Sequence, residues 1–396
     1  MYDAELTIDW ATDFDLLDPS FVADPYPVWD AMREGCPIAH SDRHGGSWLP
    51  STYALVSQIA HDSEHFSSRD VAVTEGVTGN TLLVAPPITS DPPFHTPARR
   101  LILPAFSPKA IAVLETRTRE IARELLAAIG DDPTTDIATS YAQHIPVRVI
   151  ALMLGIPPED EARFTDWAVR VFQVGQAEPE EGRAAIREVL QFFRVELDRR
   201  REEPLDDLIS YLAGTTLDGA PLTDKHIIGT CFLLLLAGID TTWSSISASL
   251  LHLATHPDDR DRLVREPSLM PTAVEEFLRA YSPVTMARVV TEDVEVAGQR
   301  LCAGDKVLLP FPAANRDPAV FEAPDEVRID REHNRHLAFG TGVHRCAGSN
   351  LARMELRVAI EEWLTRFPGF RLADDAHVEW TGGQVRGPRA VPVVLR

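Results

Sequence analysis

The segment Phe339-Gly-Thr-Gly-Val-His-Arg-Cys-Ala-Gly348 concentrates more chemistry than any other in the chain. Glycines at 340, 342 and 348 let the backbone turn where other residues resist and let a flat group approach closely. Cys346 stands just before an amphipathic run, Leu351, Met354, Leu356, Ile360, that reads as a helix. A sulfur at that place faces helical N–H groups and the positive end of the dipole, which favours the thiolate. A thiolate so placed suits iron as an anionic axial ligand. Read from spacing alone, Cys346 serves equally well as a buried structural cysteine beside a loop.

Three other clusters carry potential chemistry. Gly238, Asp240, Thr241 and Thr242 interrupt an apolar run that begins at Cys231. Glycine costs about 1 kcal/mol against alanine inside a helix, and a buried carboxylate costs more unless paired. Helical spacing puts Leu233, Ala237 and Thr241 on one row and Leu236, Asp240 and Ser244 on the next. Together they make an apolar face with an acid and an alcohol at its centre, and Ala237 and Gly238 leave room there for a diatomic molecule. A polar stripe turned to solvent is the alternative. Glu276 and Arg279 are three apart on a helix, where an ordinary surface pair is the plain reading. His95, Arg99, Arg288 and His344 are each, singly, solvated basic residues.

These groups need a frame. The 396 residues are 44% hydrophobic and 25% charged, the profile of a globular chain with a substantial core. The formal charge of −22 excludes a duplex-binding surface and a body lying flat on an anionic membrane. The acidic start lacks the basic and apolar parts of a signal peptide, and the run Cys231–Ala237 is far short of the roughly 20 residues of a span. Cys36, Cys231, Cys302 and Cys346 are far apart without metal-finger spacing, so a reducing cytoplasm is expected.

Periodicity predicts a helix in Asp24–Glu34, strand-like runs around Trp48–Val56, and a loop over Val71–Asp91. Helical pattern runs from Pro97 to Arg201, broken into two helices across Glu178–Gly182 by Pro179. A helix capped by Thr223 should run from Asp224 to just before Pro257, about 33 residues or roughly 50 Å, through the middle of the protein. A helix at Pro271–Tyr281, strands at Val289–Val296 and Lys306–Pro310, an irregular stretch Asn315–Leu337 and a helix Ala347–Phe367 complete the pattern. The fold class is mainly α with small β sheets. With no repeat or hinge-like linker, residues 1–396 read as a single domain.

The pattern Phe339, Gly342, Cys346, Gly348 (Phe-x-x-Gly-x-x-x-Cys-x-Gly) resembles the haem-binding signature of the cytochrome P-450 superfamily. Ala237-Gly-Ile-Asp-Thr-Thr242 resembles the oxygen-binding groove of that family's long central helix, Glu276-Phe-Leu-Arg279 its Glu-x-x-Arg pair, and His95-Thr-Pro-Ala-Arg99 its propionate contact. The four motifs occur in the expected order over most of the chain. The resemblance implies a helical bundle around haem b (iron protoporphyrin IX), with Cys346 as iron ligand and Phe339, Gly340, Gly348, Ala237 and Gly238 against the haem. It implies that His95, Arg99, Arg288 and His344 clamp the two haem carboxylates, and that Asp240 and Thr241 deliver protons during dioxygen activation. Glu276 and Arg279 are implied to support the cysteine loop from behind. The arginine that usually completes their network falls here on Glu326, so Arg328 and Arg331 are both candidates for the third partner.

The implied activity is a soluble haem-thiolate monooxygenase that inserts one oxygen atom from O2 into a C–H bond or heteroatom, by hydroxylation or dealkylation. Leu233, Leu236, Ala237, Val284 and Met286 should line the substrate space, with contributions from the Val71–Pro87 loop and the Thr381–Pro388 turn. No carboxylate-binding arginine can be assigned there, so the expected substrate is compact and apolar: a small aromatic, a terpenoid, or part of a larger natural product. Only about 30 residues follow the last helix, and no Rossmann fingerprint is visible. No flavin or iron–sulfur cluster is therefore expected in this chain. Electrons should come from a small acidic ferredoxin served by a flavoprotein reductase. Residues 331–357 carry five arginines and two glutamates, and residues 95–119 four arginines, one lysine and one glutamate. These two segments bias the cysteine side of a −22 chain towards an acidic partner. A monomer without membrane or nucleic-acid partners is expected. A peroxide-driven enzyme of the same fold would dispense with the Asp240–Thr241 pair, a nitric-oxide reductase would take electrons from NADH, and a haem gas sensor would yield no product.

Overall fold

The computed structural model describes residues 9–74 and 84–395. Residues 75–83 of the expected Val71–Pro87 loop lie outside the described residues. The molecule is organised by one helix, Asp224–Thr255, whose first turn is closed by the Thr223 hydroxyl accepting from the His226 amide. Its 32 residues reach about 48 Å. Leu235, Ile239, Ile246, Leu250 and Leu253 are fully buried along it. It is long and apolar enough to cross a membrane, yet 78% of that window is buried inside the protein, as a core helix requires. Helices His144–Leu154, Pro179–Glu202 and Ser349–Arg366 pack around it, and Pro108–Ile129 packs on the last of these through Arg119 and Arg357.

A five-stranded sheet lies to one side, in the order Ile38–Ser41, Ser47–Pro50, Lys306–Pro310, Thr285–Val290, Phe66–Ser67. Leu308 pairs with Ala287 in the antiparallel centre, which sets alternate residues of Thr285–Val290 on opposite faces. The chain closes with the hairpin Glu379–Trp380 and Pro388–Ala390, tied to the sheet side by a bridge between Val284 and Val385.

Four expected elements differ in detail. The Trp48–Val56 run is a strand only to Pro50, because Thr52 accepts from the Leu55 amide and starts the helix Tyr53–His61. Val289–Val296 is two strands, Thr285–Val290 and Val294–Val296, separated by a turn. The long helical pattern from Pro97 contains a short strand, Thr134–Asp136, paired with Pro392–Val394. Pro179 does not break a helix but opens one at its first turn, where a missing N–H costs nothing. The interruption lies at Glu178, after a π-helical turn, Arg170–Val174. The stretch Asn315–Leu337 is irregular, as expected, after the short helical turn that ends at Ala314.

Candidate active site

The cysteine loop is shaped by its glycines. Gly340 and Gly342 have φ of +64° and +71°. A Cβ on Gly342 would sit 2.4 Å from the Ala60 carbonyl oxygen, so the loop seats on the end of helix Tyr53–His61 only with glycine there. The Cys346 amide donates to the Phe339 carbonyl (2.8 Å) and the Gly340 amide to Leu337 (2.8 Å), which folds the loop back on itself. Arg353 lies 4.4 Å over the Phe339 ring and donates to Glu275 (2.8 Å), which also takes His336 (3.0 Å). Burial works to raise the Glu275 carboxyl, but Arg353 and His336 outweigh it and hold it down at about 2.

Cys346 lines a cavity of about 250 Å3 with Phe339, Gly340, His344 and Gly348 of its own loop, Ala237, Gly238, Thr241 and Thr242 of the central helix, and Arg99, Met286 and Arg288. Burial pushes the Cys346 thiol up, against the Gly348 amide and the charges of Arg99, Arg345 and Arg353. A coordinated metal ion deprotonates a thiol directly.

Around the same cavity sits positive charge that no carboxylate pairs with among the described residues. Arg288 is buried and, among the described residues, donates only to its neighbour's carbonyl, Ala287 (2.7 Å). Burial brings its guanidinium down to about 10. His95 and His344 stack at 4.3 Å between ring centroids. Both ring nitrogens of His95 and Nε2 of His344 are buried without a hydrogen-bond partner. Burial, then Arg288, His95 and Arg99, hold His344 down at about 3. Arg99 is spent on the Arg345 carbonyl, which binds it to the cysteine loop. Orphaned donors and unmatched guanidinium groups in one buried place fit a dianionic ligand, as the two haem carboxylates would be.

The central helix presents Thr241 to the cavity, its hydroxyl donating to Ala237 (2.9 Å). Asp240 does not line the cavity. It is 0% exposed on the adjoining face, where Oδ1 takes Arg389 Nη2 at 2.8 Å and Oδ2 has no partner. Arg389 also reaches the Ser244 hydroxyl (3.0 Å) and lies 4.2 Å over the Trp243 ring. Burial raises the Asp240 carboxyl, while Arg389 and Gln173 oppose it. The expected row Leu236, Asp240, Ser244 therefore turns mainly towards the C-terminal hairpin. Arg389 was not foreseen: the only signal was the rule that a buried acid needs a partner. Gly238 is small for packing as well, since a Cβ there would come within 3.2 Å of Ile150, which itself lines the cavity.

Glu276 and Arg279 are both 0% exposed and joined by two hydrogen bonds of 2.8 Å, so the surface-pair alternative does not hold. The third side chain is that of Arg331, 3.0 Å from Glu276. Arg328 gives Glu276 only its backbone N–H (2.8 Å) and turns its side chain to Glu326. Glu326 contributes only its carbonyl to Arg279. From Arg279 the network runs through the Asn315 carbonyl (2.9 Å), and Asn315 Oδ1 takes the Leu337 amide (2.6 Å) at the entry to the cysteine loop.

A second cavity of about 170 Å3 shares Ile88, Leu233, Ala237, Thr241, Val284 and Met286 with the first. Leu236 and the turn residues Gln384 and Val385 line it as expected. Arg69, Asp70 and Gln176 line it too, which sequence reasoning missed. Sequence alone assigned no arginine to this pocket, whereas Arg69 lines it.

The profile of the Cytochrome P450 family matches residues 180–369. The chain is 36% identical to a mycinamicin IV hydroxylase/epoxidase of Micromonospora griseorubida over 88% of this chain and 89% of that one. It is 35% identical to a vitamin D(3) 25-hydroxylase of Pseudonocardia autotrophica over 98% of both. The solved structure of cytochrome P450 PksS, from the bacillaene polyketide synthase of Bacillus subtilis 168, superimposes with a TM-score of 0.88 at 32% identity. That match covers 96% of this chain and 99% of PksS. The chain belongs to the cytochrome P450 family, among its bacterial monooxygenases, and the family implies a haem cofactor.

Proposed function

We propose that this protein is a haem-thiolate monooxygenase that oxygenates a small organic substrate held in the second cavity against Thr241. The observation that carries the reading is the meeting, at one cavity, of Cys346 with Arg99, Arg288 and His344, the last stacked on the orphaned His95 behind it. Cys346 would hold the iron, those four side chains the propionates, and Phe339, Gly340, Gly348, Ala237 and Gly238 the ring. The haem, when bound, supplies dioxygen activation and the oxidising power. The chain's own residues do the rest. Leu233, Leu236, Val284 and Met286 exclude water from the substrate and orient it. Thr241 keeps a hydroxyl at the junction of the two cavities, and Asp240, one residue behind it and paired with Arg389, is read as the acid of the proton relay. That acid–alcohol pair supports a dioxygen-dependent reaction over a peroxide-driven one.

Residues from Arg69 to Val385 contribute to the two connected cavities, which supports one haem domain over 1–396. Electrons are read as coming from a separate small acidic ferredoxin and its flavoprotein reductase, to a cytoplasmic monomer without flavin or iron–sulfur cluster of its own. Many cations of the cysteine side are already paired: Arg117, Arg119, Arg331, Arg353 and Arg357 all meet carboxylates. Arg100, Lys109, Arg335 and Arg345 are exposed with no carboxylate partner among the described residues, and these four support an acidic docking partner. Reduction by such a ferredoxin should slow steeply with added salt.

The experiment is carbon monoxide added to the reduced protein. The long-wavelength Soret band of thiolate-ligated haem is expected in the wild type and not in Cys346→Ala. A normal band in the variant would remove Cys346 from its role.

A further inference from the structure

The second cavity is lined mostly by apolar side chains. Among its lining residues only Arg69 and Asp70 carry charge. Asp70 is occupied: Oδ1 accepts from the Ala72 amide (3.0 Å), and Oδ2 lies 3.6 Å from Lys306 Nζ. Lys306 is fixed in turn by the Ala72 carbonyl (3.0 Å). The Asp70–Lys306 pair is therefore neutral as a unit, and the guanidinium of Arg69 has no carboxylate partner among the described residues. Only the Arg69 backbone is engaged, its amide donating to the Ser67 hydroxyl (3.1 Å). Its exposed side chain makes no hydrogen bond or ion pair among the described residues. Ala237 and Thr241, shared with the cysteine cavity, line it as well, together with Val73, Ile88, Phe172 and Leu236.

An uncompensated guanidinium at the rim of an apolar cavity selects by charge. A cationic head is repelled by it and a neutral one gains only an ordinary hydrogen bond, while a carboxylate can take two parallel charge-assisted N–H···O bonds from its fork. We propose that Arg69 determines specificity by holding the carboxylate of an amphiphilic substrate at the cavity rim, with the apolar body extended towards Thr241. This names the substrate class of the proposed monooxygenase site and rests on that reading. It replaces the wholly apolar substrate that sequence alone suggested.

The test uses the haem-loaded full chain and two matched probes, dodecanoate and methyl dodecanoate. Binding is followed by the Soret shift and independently by calorimetry, for wild type, Arg69→Ala and Arg69→Lys. The acid should bind the wild type roughly tenfold more tightly than the ester, the size of one charge-assisted hydrogen bond. Arg69→Ala should lose that preference with ester binding unchanged, and Arg69→Lys should keep part of it. Equal affinities in the wild type, a preference that survives Arg69→Ala, or no binding by any acid from octanoate to hexadecanoate would each overturn the proposal. The carbon monoxide band, recorded on the same samples, separates the two readings. Its absence would strike the monooxygenase assignment, whereas its presence with no acid preference strikes only the role of Arg69.

Discussion

Glu355 is the least expected carboxyl in the structure. It stands on helix Ser349–Arg366, lines the cysteine cavity, and is 2% exposed. It makes no hydrogen bond or ion pair among the described residues, and burial alone raises its carboxyl from 4.5 to about 8. The folded protein therefore holds this proton more tightly than the unfolded chain does. Below pH 4.5 both states are protonated and nothing is lost. Between 4.5 and 8 the unfolded chain ionises and the folded one does not, so stability falls by about 1.4 kcal/mol per pH unit. Above pH 8 both are ionised and the loss levels off. Integrated from the acid side, the loss is about 1 kcal/mol at pH 5 and about 3 kcal/mol at pH 7. Glu355→Gln keeps the shape and removes the titration. The variant should gain about 2 kcal/mol on the wild type between pH 5 and pH 7. Urea unfolding of the two proteins at both pH values measures this, and every other titrating group cancels in the difference. A difference between the proteins that does not change with pH would refute the reasoning.

Two further variants test the buried networks. Arg389→Met strands the Asp240 carboxylate and should cost about 3–5 kcal/mol in urea unfolding, most of it recovered in Asp240→Asn/Arg389→Met. Additive single-variant costs would show that the pair is not coupled. Arg331→Ala should destabilise by about 1.5–3 kcal/mol and speed haem loss from the cysteine loop, because Glu276 loses a charged donor. Arg328→Ala, whose side chain meets only the exposed Glu322 and Glu326, should stay within about 0.5 kcal/mol of wild type. Equal effects at 328 and 331 would contradict the assignment of the third partner.

What could be read from the chain was what depends on neighbours in sequence. Thr223 caps its helix, Pro271 sits in the first turn of helix Met270–Ala280, and Lys306–Pro310 is a strand as expected, because each is decided by a few adjacent residues. The glycines of the Cys346 loop were legible for the same reason, since a positive φ is a local demand. Fold class and family followed from such motifs in their order. The direction of a side chain across the core was not legible. Helical spacing placed Asp240 and Thr241 on neighbouring rows, but which row faces the cavity depends on what packs against the other. Arg389, 149 residues away, takes Asp240 out of the cavity.

Arg328 and Arg331 lie three residues apart in an irregular stretch, where no period assigns direction. Only the fold shows which guanidinium reaches Glu276 and which turns outward. Arg69 looked like any exposed arginine until tertiary packing put it at the rim of an apolar cavity with its neighbour Asp70 already paired. The sequence by itself determined which chemistry the protein carries, since ligand, cap and turn residues act through short-range geometry. Only the tertiary structure decided which charges are compensated. Compensation is a balance of burial against partners brought from far along the chain, and the order of residues does not contain it.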